Sequence, residues 1–406
     1  MKPILDSLRS GHWPSLFAAW LHFEVSFMAW LLVGALGVLI AEDFGLTASQ
    51  KGLLVATPLL GGALLRILVG FCSDRIGTKK TGLILLIGES VVLLWGWLGA
   101  TTYLEALGVG LLLGVAGASF AVALPLASRA YPPAHQGLAM GVAASGNSGV
   151  VLVAFFAPRL AQAVGWHGVF GVMAVPVILT ALVYAALVQR EIGGARPGEA
   201  WWPMVVQSLR RRSMYWLCFL YAVTFGGFVG LCSYLPIFFH DEYGLRPVTA
   251  GTVTAVCGLA GSLIRPLGGF VADRRGGVVI LRFLFPLIGV LTICVAQLPP
   301  FVWAAPLMVA ILATLGFGNG VVFRVVSDHF PQEIGVAAGL IGAAGCLGGF
   351  VLPSLAGHFK DLTGSYAPGL LVLAVLALVA WTTVELVLRT RRELIKGVDP
   401  VDGVSH

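Results

Sequence analysis

The chain has 406 residues, of which 58% are hydrophobic and only 11% are charged, and it contains 53 glycines. This composition excludes a soluble globular protein and is typical of a helical membrane bundle. The formal net charge of +6 is explained by membrane topology, as described below, so it gives no reason to expect a nucleic-acid partner.

Twelve stretches are apolar and long enough to cross a membrane as helices, because about 20 apolar residues span roughly 30 Å of hydrocarbon. They lie at residues 14–40, 50–73, 81–100, 106–126, 137–158, 168–189, 214–239, 249–270, 279–297, 302–324, 335–357 and 367–388. A polar, arginine-rich stretch follows the sixth span. We therefore predict an all-α polytopic membrane protein with an N-terminal six-helix half at 1–189, a cytoplasmic linker at 190–213, a C-terminal six-helix half at 214–388 and a cytoplasmic tail at 389–406.

Basic residues between the spans predict the orientation, because loops rich in Lys and Arg stay in the cytoplasm. With both termini in the cytoplasm, nineteen basic residues lie on that side. Only four lie on the other side: Lys51, Arg159, Arg246 and Lys360. The first apolar run is not followed by a small-residue cleavage site, so we expect it to remain as a helix. The predicted protein is a multi-pass monomer in the lipid bilayer of a bacterial inner membrane.

The sequence gives no support for enzymatic chemistry. Its six cysteines are scattered without paired spacing, and its eight histidines form no metal-binding motif. A membrane enzyme would also require a nucleophile beside a base. A nutrient sensor would usually add a soluble output domain, for which the tail is too short. We expect no enzymatic activity, no cofactor and no metal.

The two halves share a repeated segment, GALLRILVGFCSDRIG from Gly62 and GSLIRPLGGFVADRRG from Gly261. Repeated six-helix halves place a substrate site at the repeat interface, near the middle of the membrane. The first copy contains a motif of fixed spacing, GxxxDRxGxKK, formed by Gly70, Asp74, Arg75, Gly77, Lys79 and Lys80. This motif resembles the loop between helices two and three of the major facilitator superfamily.

The resemblance implies the major facilitator fold, with twelve helices in two pseudo-symmetric halves that rock about a central site. A weaker copy of the motif is present in the second half, at Gly269, Asp273, Arg274 and Gly276. In that superfamily the loop is implied to latch the cytoplasmic gate. The implied gating residues are Gly70, Asp74, Arg75, Asp273 and Arg274.

Arg66 and Arg265 occupy the same position in the two copies, eight residues before Asp74 and Asp273 respectively. At about 1.5 Å per residue, each lies roughly 12 Å inside the cytoplasmic boundary, near the middle of the hydrocarbon core. A charge at this depth is costly unless it faces a cavity or a counter-charge, and neither helix carries an acid nearby. Two converging guanidinium groups predict a site for a small planar oxyanion, which accepts paired N–H bonds.

Two glycine-dense segments, GVAASGNSG at 141–149 and GLIGAAGCLGG at 339–349, predict close contacts between helices. Helix packing does not explain Asn147 in the first segment, nor Asn319 in the GFGNG run at 316–320. A buried amide requires hydrogen-bond partners, and substrate oxygens are one candidate. Tyr221 and Phe225 stand four residues apart, on one face of a helix.

These features together resemble the nitrate/nitrite porter family, in its shorter, proton-coupled type. The resemblance implies that nitrate or nitrite binds between the two arginines, beneath aromatic side chains. The substrate-binding residues that it implies are Arg66, Arg265, Asn147, Asn319, Tyr221, Phe225, Phe120, Gly146, Gly149, Gly345 and Gly348. Cys346 occupies the position at which the first half has Asn147, so the two halves are not identical here.

Glu24 lies in the apolar run of the first span, two residues after His22. Two residues correspond to about 200° around a helix, so these side chains do not both face the cavity. Glu24 resembles the acidic residue of the proton-coupled porters, which implies nitrate/proton symport. Its alternative role is permanent compensation of one arginine.

Two other transport modes remain open. A nitrate/nitrite exchanger is one, because an empty site with two unpaired charges would resist the conformational switch in the absence of an anion. An organic-anion exchanger of the formate/oxalate kind is the other, since it could also use a central arginine pair.

Overall fold

A computed structural model describes residues 10–132, 135–189, 201–330 and 334–396. The helices of the first half are Trp13–Trp30, Leu32–Ala35 and Gly37–Phe44 (helix 1), Ala48–Ile76 (helix 2), Thr78–Leu98 (helix 3), Tyr103–Gly117 with Phe120–Arg129 (helix 4), and Gln136–Ala144, a 3-10 turn at Ser145–Ser148 and Gly149–Leu187 (helices 5 and 6). Those of the second half are Arg212–Tyr221, a π turn at Ala222–Gly226 and Gly227–Tyr243 (helix 7), Pro247–Arg275 (helix 8), Gly277–Ala296 (helix 9), Phe301–His329 (helix 10), Ile334–Thr363 (helix 11) and Ala367–Lys396 (helix 12).

The prediction of twelve spans is confirmed. Within the described ranges, ten continuous helices are long and apolar enough to cross a membrane. One of these contains both helices 5 and 6, which are separated at Gly165, where φ is 70°. Helix 1 adds the twelfth span, divided into three pieces at Leu31 and Leu36.

The predicted linker is partly helical, because Trp201–Arg210 forms a short helix before helix 7. Residues 190–200 of this linker lie outside the described residues, as do 397–406 of the predicted tail. The division of the chain into these domains stays a prediction.

Equivalent turns end equivalent helices in the two halves. Helices 1 and 7 end at Gly45 and Gly244, with φ of 61° and 64°. Helices 2 and 8 end at Gly77 and Gly276, with φ of 92° and 81°. Glycine adopts a positive φ without the steric cost that a Cβ imposes, so the repeat in the sequence reappears as a repeat of backbone geometry.

Each half also contains a direct glycine contact between two helices. Gly61 on helix 2 touches Gly114 on helix 4, and Gly261 on helix 8 touches Gly316 on helix 10. A Cβ added to Gly114 or Gly316 would overlap the backbone of the facing glycine. Helices that approach this closely gain van der Waals contact along their backbones, which is the main packing force between helices in lipid.

The two ends of the bundle differ. We call the end with the turns at Gly77 and Gly276 the basic face, and the end with the turns at Gly45 and Gly244 the far face. A cavity of about 740 Å³ opens at the basic face, between helices 2, 4 and 5 of one half and helices 8, 10 and 11 of the other. Asp74 and Asp273 line this cavity from the two halves.

The far face is closed by polar contacts between the halves. The Lys51 ammonium on helix 2 lies 2.9 Å from the Asp241 carboxylate on helix 7. The Asp361 carboxylate on helix 11 accepts hydrogen bonds from the backbone N–H groups of Ala48 and Ser49, at 3.0 and 2.8 Å. These N–H groups begin helix 2, where the helix dipole favours a negative charge. The structure is therefore open at the basic face and closed at the far face.

Candidate functional site

Of the two arginines predicted from the repeat, Arg265 lines the cavity, and Arg66 lies against the ring of Phe120, which also lines it. The side chain of Arg66 is 1% exposed, and that of Arg265, which lines the cavity, is 8% exposed. No acidic side chain in the described part of the chain forms an ion pair with either arginine. Two buried positive charges without a counter-charge make this region strongly attractive to an anion.

Arg66 is bonded to the backbone of both halves. Its Nη2 donates to the carbonyl of Gly117 on helix 4 at 2.6 Å, and its Nη1 donates to the carbonyl of Gly342 on helix 11 at 3.0 Å. Its Nε has no hydrogen-bond partner among the described residues. The Arg66 guanidinium also lies 5.4 Å from the centre of the Phe120 ring and 5.7 Å from that of Phe225, which are favourable cation–π distances.

Arg265 has fewer contacts. Its Nη1 is buried and has no hydrogen-bond partner within the described residues. Its guanidinium carbon lies 5.9 Å from the centre of the Phe323 ring on helix 10. A buried N–H without an acceptor is costly, so the Arg265 guanidinium is prepared to receive an oxygen acceptor from the cavity.

Tyr221 and Phe225 stand side by side on helix 7, with ring centres 5.0 Å apart and planes inclined by 2°. The π turn at Ala222–Gly226 follows Tyr221 and includes Phe225. Such turns are frequent at functional sites, because the extra residue changes the direction of the side chains. The phenol of Tyr221 is buried and interacts electrostatically with both guanidinium groups. The structure thus brings the predicted aromatic pair to the two arginines.

Phe323 is a site residue that the sequence reasoning missed. Its ring packs edge-on against Phe120 at 5.6 Å and against Tyr221 at 5.1 Å, in the geometry that aromatic pairs prefer. Phe323 therefore links Phe120 of the first half to Tyr221 of the second half, and it lies beside Arg265. A sequence signal was present, since Phe323 follows Asn319 by four residues and so shares its helical face.

The two predicted amides are buried at 1% and 0% exposure. Asn147 lies in the 3-10 turn of helix 5 and lines the cavity. Both the amide oxygen and the amide nitrogen of Asn319 lack a hydrogen-bond partner in the part of the chain that the structure describes. An unsatisfied buried amide calls for an explanation. An oxyanion could accept from the amide N–H groups but not satisfy the amide oxygen, and a contact between the substrate and either amide stays a prediction.

The four glycines predicted to bind substrate lie in contacts between helices. An added Cβ on Gly146 would lie 2.8 Å from the backbone nitrogen of Glu24, and one on Gly149 would overlap the Glu24 carbonyl. On Gly345 it would lie 2.8 Å from the Tyr221 ring, and on Gly348 it would overlap the carbonyl of Ala222. These contacts explain the glycines by helix packing, and a direct contact with the anion stays a prediction.

Glu24 faces helix 5. Its Oε2 accepts a hydrogen bond of 2.7 Å from the hydroxyl of Ser148, and no ion pair joins it to an arginine within the described residues. His22 lies on another face of the helix, fully buried, with its ring centre 5.1 Å from that of Tyr184.

A second buried carboxyl lies on helix 3. Glu89 is 0% exposed. Its two oxygens accept from the hydroxyl of Ser26 on helix 1, at 2.8 and 3.0 Å. Helix 1 is therefore held to helix 5 by Glu24 and to helix 3 by Ser26.

The predicted gating residues lie at the mouth of the cavity. Asp74 pairs with Arg129 on helix 4 at 2.9 Å, and Asp273 pairs with Arg324 on helix 10. Both pairs lie within a half, as expected when the basic face is open. The partner arginines were not predicted, because the motif names only its own helix and loop.

The remaining gating residues belong to the same two helix ends. Arg75 lies over the ring of Phe71 and Arg274 over that of Phe270, with 4.6 and 4.1 Å from guanidinium carbon to ring centre. Gly70 lines the cavity, and an added Cβ there would meet nothing within 4 Å. Their role in gating stays a prediction.

Comparisons with known proteins agree with this architecture. The family model of the Major Facilitator Superfamily matches residues 18–353. A structure of a bacterial homologue of the human lysosomal transporter Spinster, in an inward-facing and occupied conformation, has the same fold, with a TM-score of 0.68, 19% identity and coverage of 92% of this chain and 96% of that one.

Several curated relatives match over most of the chain. The probable nitrate/nitrite transporter NarK2 of Mycobacterium tuberculosis (strain ATCC 25618 / H37Rv) is 37% identical over 90% of this chain and 94% of its own length. The nitrite extrusion protein of Bacillus subtilis (strain 168) is 30% identical over 90% and 91%, and the probable nitrate/nitrite antiporter NarK1 of Thermus thermophilus is 30% identical over 93% and 92%. The chain therefore belongs to the major facilitator superfamily, and within it to the nitrate/nitrite porter family.

Proposed function

We propose that this protein carries nitrate and nitrite across the inner membrane of a bacterium, by alternating exposure of one site between Arg66 and Arg265. The relatives named as nitrate/nitrite transporters support this substrate. The excess of basic residues on the basic face supports a cytoplasmic location for that face and for both termini. The open cavity then faces the cytoplasm.

The observation that carries the proposal is the pair of buried guanidinium groups without a counter-charge. A planar oxyanion between them accepts charge-assisted hydrogen bonds from the unpartnered Nε of Arg66 and Nη1 of Arg265. The Tyr221 hydroxyl, near both guanidinium groups, supplies a further donor. Such bonds are strong because both guanidinium groups are buried among apolar side chains.

The surroundings favour a small anion over an organic one. Phe120 and Phe225 both lie over the Arg66 guanidinium, and Phe323 packs edge-on against Phe120. These rings leave flat apolar walls against which the faces of a planar anion can pack. An organic acid would bring a chain or a second carboxylate, for which this site offers no further buried cation among the described residues.

The proposed mode is symport of nitrate with a proton. The Glu24 carboxyl supports symport. It is buried beside the 3-10 turn of helix 5, and it accepts a hydrogen bond from the neutral hydroxyl of Ser148. Exchange of nitrate for nitrite is the second candidate. It is favoured by the two arginine charges themselves, since an empty site closed on both sides would hold them unneutralised.

Uptake of nitrate into proteoliposomes tests the function and separates the two modes. Vesicles are prepared with or without internal nitrite, and a proton gradient is imposed on each. Uptake into empty vesicles that follows the gradient, and that is lost in Glu24→Gln, is the result expected for symport. Uptake that requires internal nitrite and ignores the gradient would replace symport by exchange, and no uptake in either case would refute the proposed function.

A further inference from the structure

The hydroxyl of Ser148 stands between two acceptors in the 3-10 turn of helix 5. It lies 2.7 Å from Oε2 of Glu24 and 2.9 Å from the backbone carbonyl of Ser145. A hydroxyl carries one hydrogen and therefore donates to one acceptor at a time. Which of the two it chooses depends on whether the Glu24 carboxyl carries a proton.

The carbonyl of Ser145 is shared with the anion site. In the orientation that satisfies the amide of Asn147, its nitrogen donates to the carbonyls of Ser145 at 3.3 Å and of Ala144 at 3.1 Å. Asn147 is buried and lines the cavity. A carbonyl oxygen has two lone pairs, and the i→i+3 backbone bond of the 3-10 turn takes one of those on Ser145. Ser148 and Asn147 therefore compete for the other.

We propose that Ser148 is a positioning residue that couples the protonation of Glu24 to the orientation of Asn147. This inference rests on the proposed anion site. When Glu24 is ionised, Ser148 donates to it, and the Ser145 carbonyl holds the Asn147 amide. When Glu24 is protonated, its O–H donates to the Ser148 oxygen. The Ser148 hydrogen then turns to the Ser145 carbonyl, and one N–H of Asn147 is released toward the anion.

We call the chain of hydrogen bonds from Glu24 through Ser148 to the Ser145 carbonyl and Asn147 the relay. Within the described residues, no other charged group bonds to its members. The titratable groups on the elements packed against the Trp13–Trp30 segment of helix 1 are Lys79, Lys80 and Glu89 on helix 3, Tyr103, Glu105 and Arg129 on helix 4, and Arg159, His167 and Tyr184 on helices 5 and 6. Arg66 on helix 2 lies 5.8 Å from the centre of the Trp30 ring, and helix 8, which carries Arg265, packs against the 3-10 turn. The carboxyls among them have partners elsewhere, Glu89 with Ser26 and Glu105 with Thr102. Arg129 pairs with Asp74, and none of the group bonds to Glu24.

The consequence is positive coupling between proton and anion. Protonated Glu24 releases a donor to the site, so nitrate binds more tightly, and by linkage bound nitrate makes Glu24 hold its proton more tightly. If one proton accompanies each nitrate, log Kd rises by about one unit per pH unit across the range in which Glu24 titrates.

The test measures the nitrate Kd of the purified full-length protein over an acidic-to-neutral pH series. Ser148→Ala is expected to flatten the slope of log Kd against pH to that of Glu24→Gln while nitrate still binds. Ser148→Thr keeps a hydroxyl and is expected to keep the slope. Ser145→Ala is the matched control, because its side chain bonds only to the Val142 carbonyl among the described residues and its own carbonyl remains.

The outcomes separate the two proposals. If Ser148→Ala keeps the wild-type slope, the relay is wrong whatever Glu24 does. If Glu24→Gln keeps the slope, the proton binds at another group, and the relay is wrong as well. A wild-type protein that binds no nitrate at any pH would instead refute the proposed function, because the relay presupposes the site.

Discussion

Arg66 and Arg265 occupy equivalent positions in the two halves, yet their surroundings differ. Arg66 is almost wholly enclosed, bonded to the carbonyls of Gly117 and Gly342. Arg265 faces the open cavity with an unpartnered Nη1. Arg66 is thus anchored to the backbone of both halves, whereas Arg265, which is bonded to the Tyr221 side chain, keeps an unpartnered N–H for an incoming anion. Equivalent arginines in the sequence therefore have one anchored and one less anchored place in the structure.

The cause of the difference lies in one neighbouring position. Gly342 allows the Arg66 guanidinium to reach the backbone of helix 11, since a Cβ there would lie 2.7 Å from Nη1. In the register that aligns Gly146 with Gly345, the residue that matches Gly342 is Ala143. We expect the methyl group of this alanine to close the corresponding approach to helix 5, and we therefore attribute the difference between the two arginines to this position.

The largest effect is expected from Arg66→Lys. Lysine keeps the charge but cannot reach the Gly117 carbonyl, the Gly342 carbonyl and the anion together. Each hydrogen bond to a charged group contributes about 1.5–3 kcal/mol, so we expect nitrate affinity to fall by about a hundredfold or more. The melting temperature without anion is also expected to fall. Binding and thermal unfolding measure both effects, and unchanged affinity would exclude recognition by a guanidinium fork.

Arg265→Lys is expected to weaken nitrate binding by about ten- to thirtyfold, because one charge-assisted bond is lost. Stability without anion is expected to stay near the wild-type value, since Arg265 anchors no backbone carbonyl among the described residues. Nitrate binding and thermal unfolding measure these two effects. A fall in melting temperature equal to that of Arg66→Lys would show that the two arginines are structurally equivalent after all.

Gly342→Ala is designed to remove one of the two backbone anchors of Arg66. The new methyl group displaces the Arg66 Nη1 from the helix 11 carbonyl, at an overpacking cost of about 1–3 kcal/mol. We expect nitrate affinity to fall by about tenfold. Gly141→Ala is the control, because a Cβ there meets nothing within 4 Å although the residue lines the cavity. If both variants bind nitrate equally well, the glycine does not set the difference.

The smallest effect is expected from Gly345→Ala, which changes the aromatic wall. The methyl group would lie 2.8 Å from the Tyr221 ring and 2.9 Å from the Phe225 ring. Part of the strain can be relieved by rotation of the rings, so we expect a loss of about fivefold in transport rate. Gly339→Ala, with no atom within 4 Å of its Cβ, should transport normally. Equal rates for the two variants would show that the wall tolerates extra volume.

Much of the architecture could be predicted from the sequence. The length of the apolar stretches predicted the twelve spans. The repeat predicted the position of both arginines, because the number of residues along a helix determines the depth in the membrane. The side-chain neighbours could not be found in this way. Helical spacing identifies the face on which Glu89 or Phe323 lies, but not the helix that this face meets. The π turn after Tyr221 packs directly against Gly348 and Gly349 of helix 11, a contact between distant segments that local propensity does not show.

The closed far face has a consequence for the direction of transport. Its ion pairs remain partly exposed, with side-chain exposures of 21% and 16% for Lys51 and Asp241, and pairs in such positions contribute about 0–1 kcal/mol each. When the far face opens, water replaces these contacts at little cost. These ion pairs therefore add little to the free-energy difference between the two orientations. If the protein carries nitrate as proposed, the ion concentrations on its two sides decide which way nitrate moves.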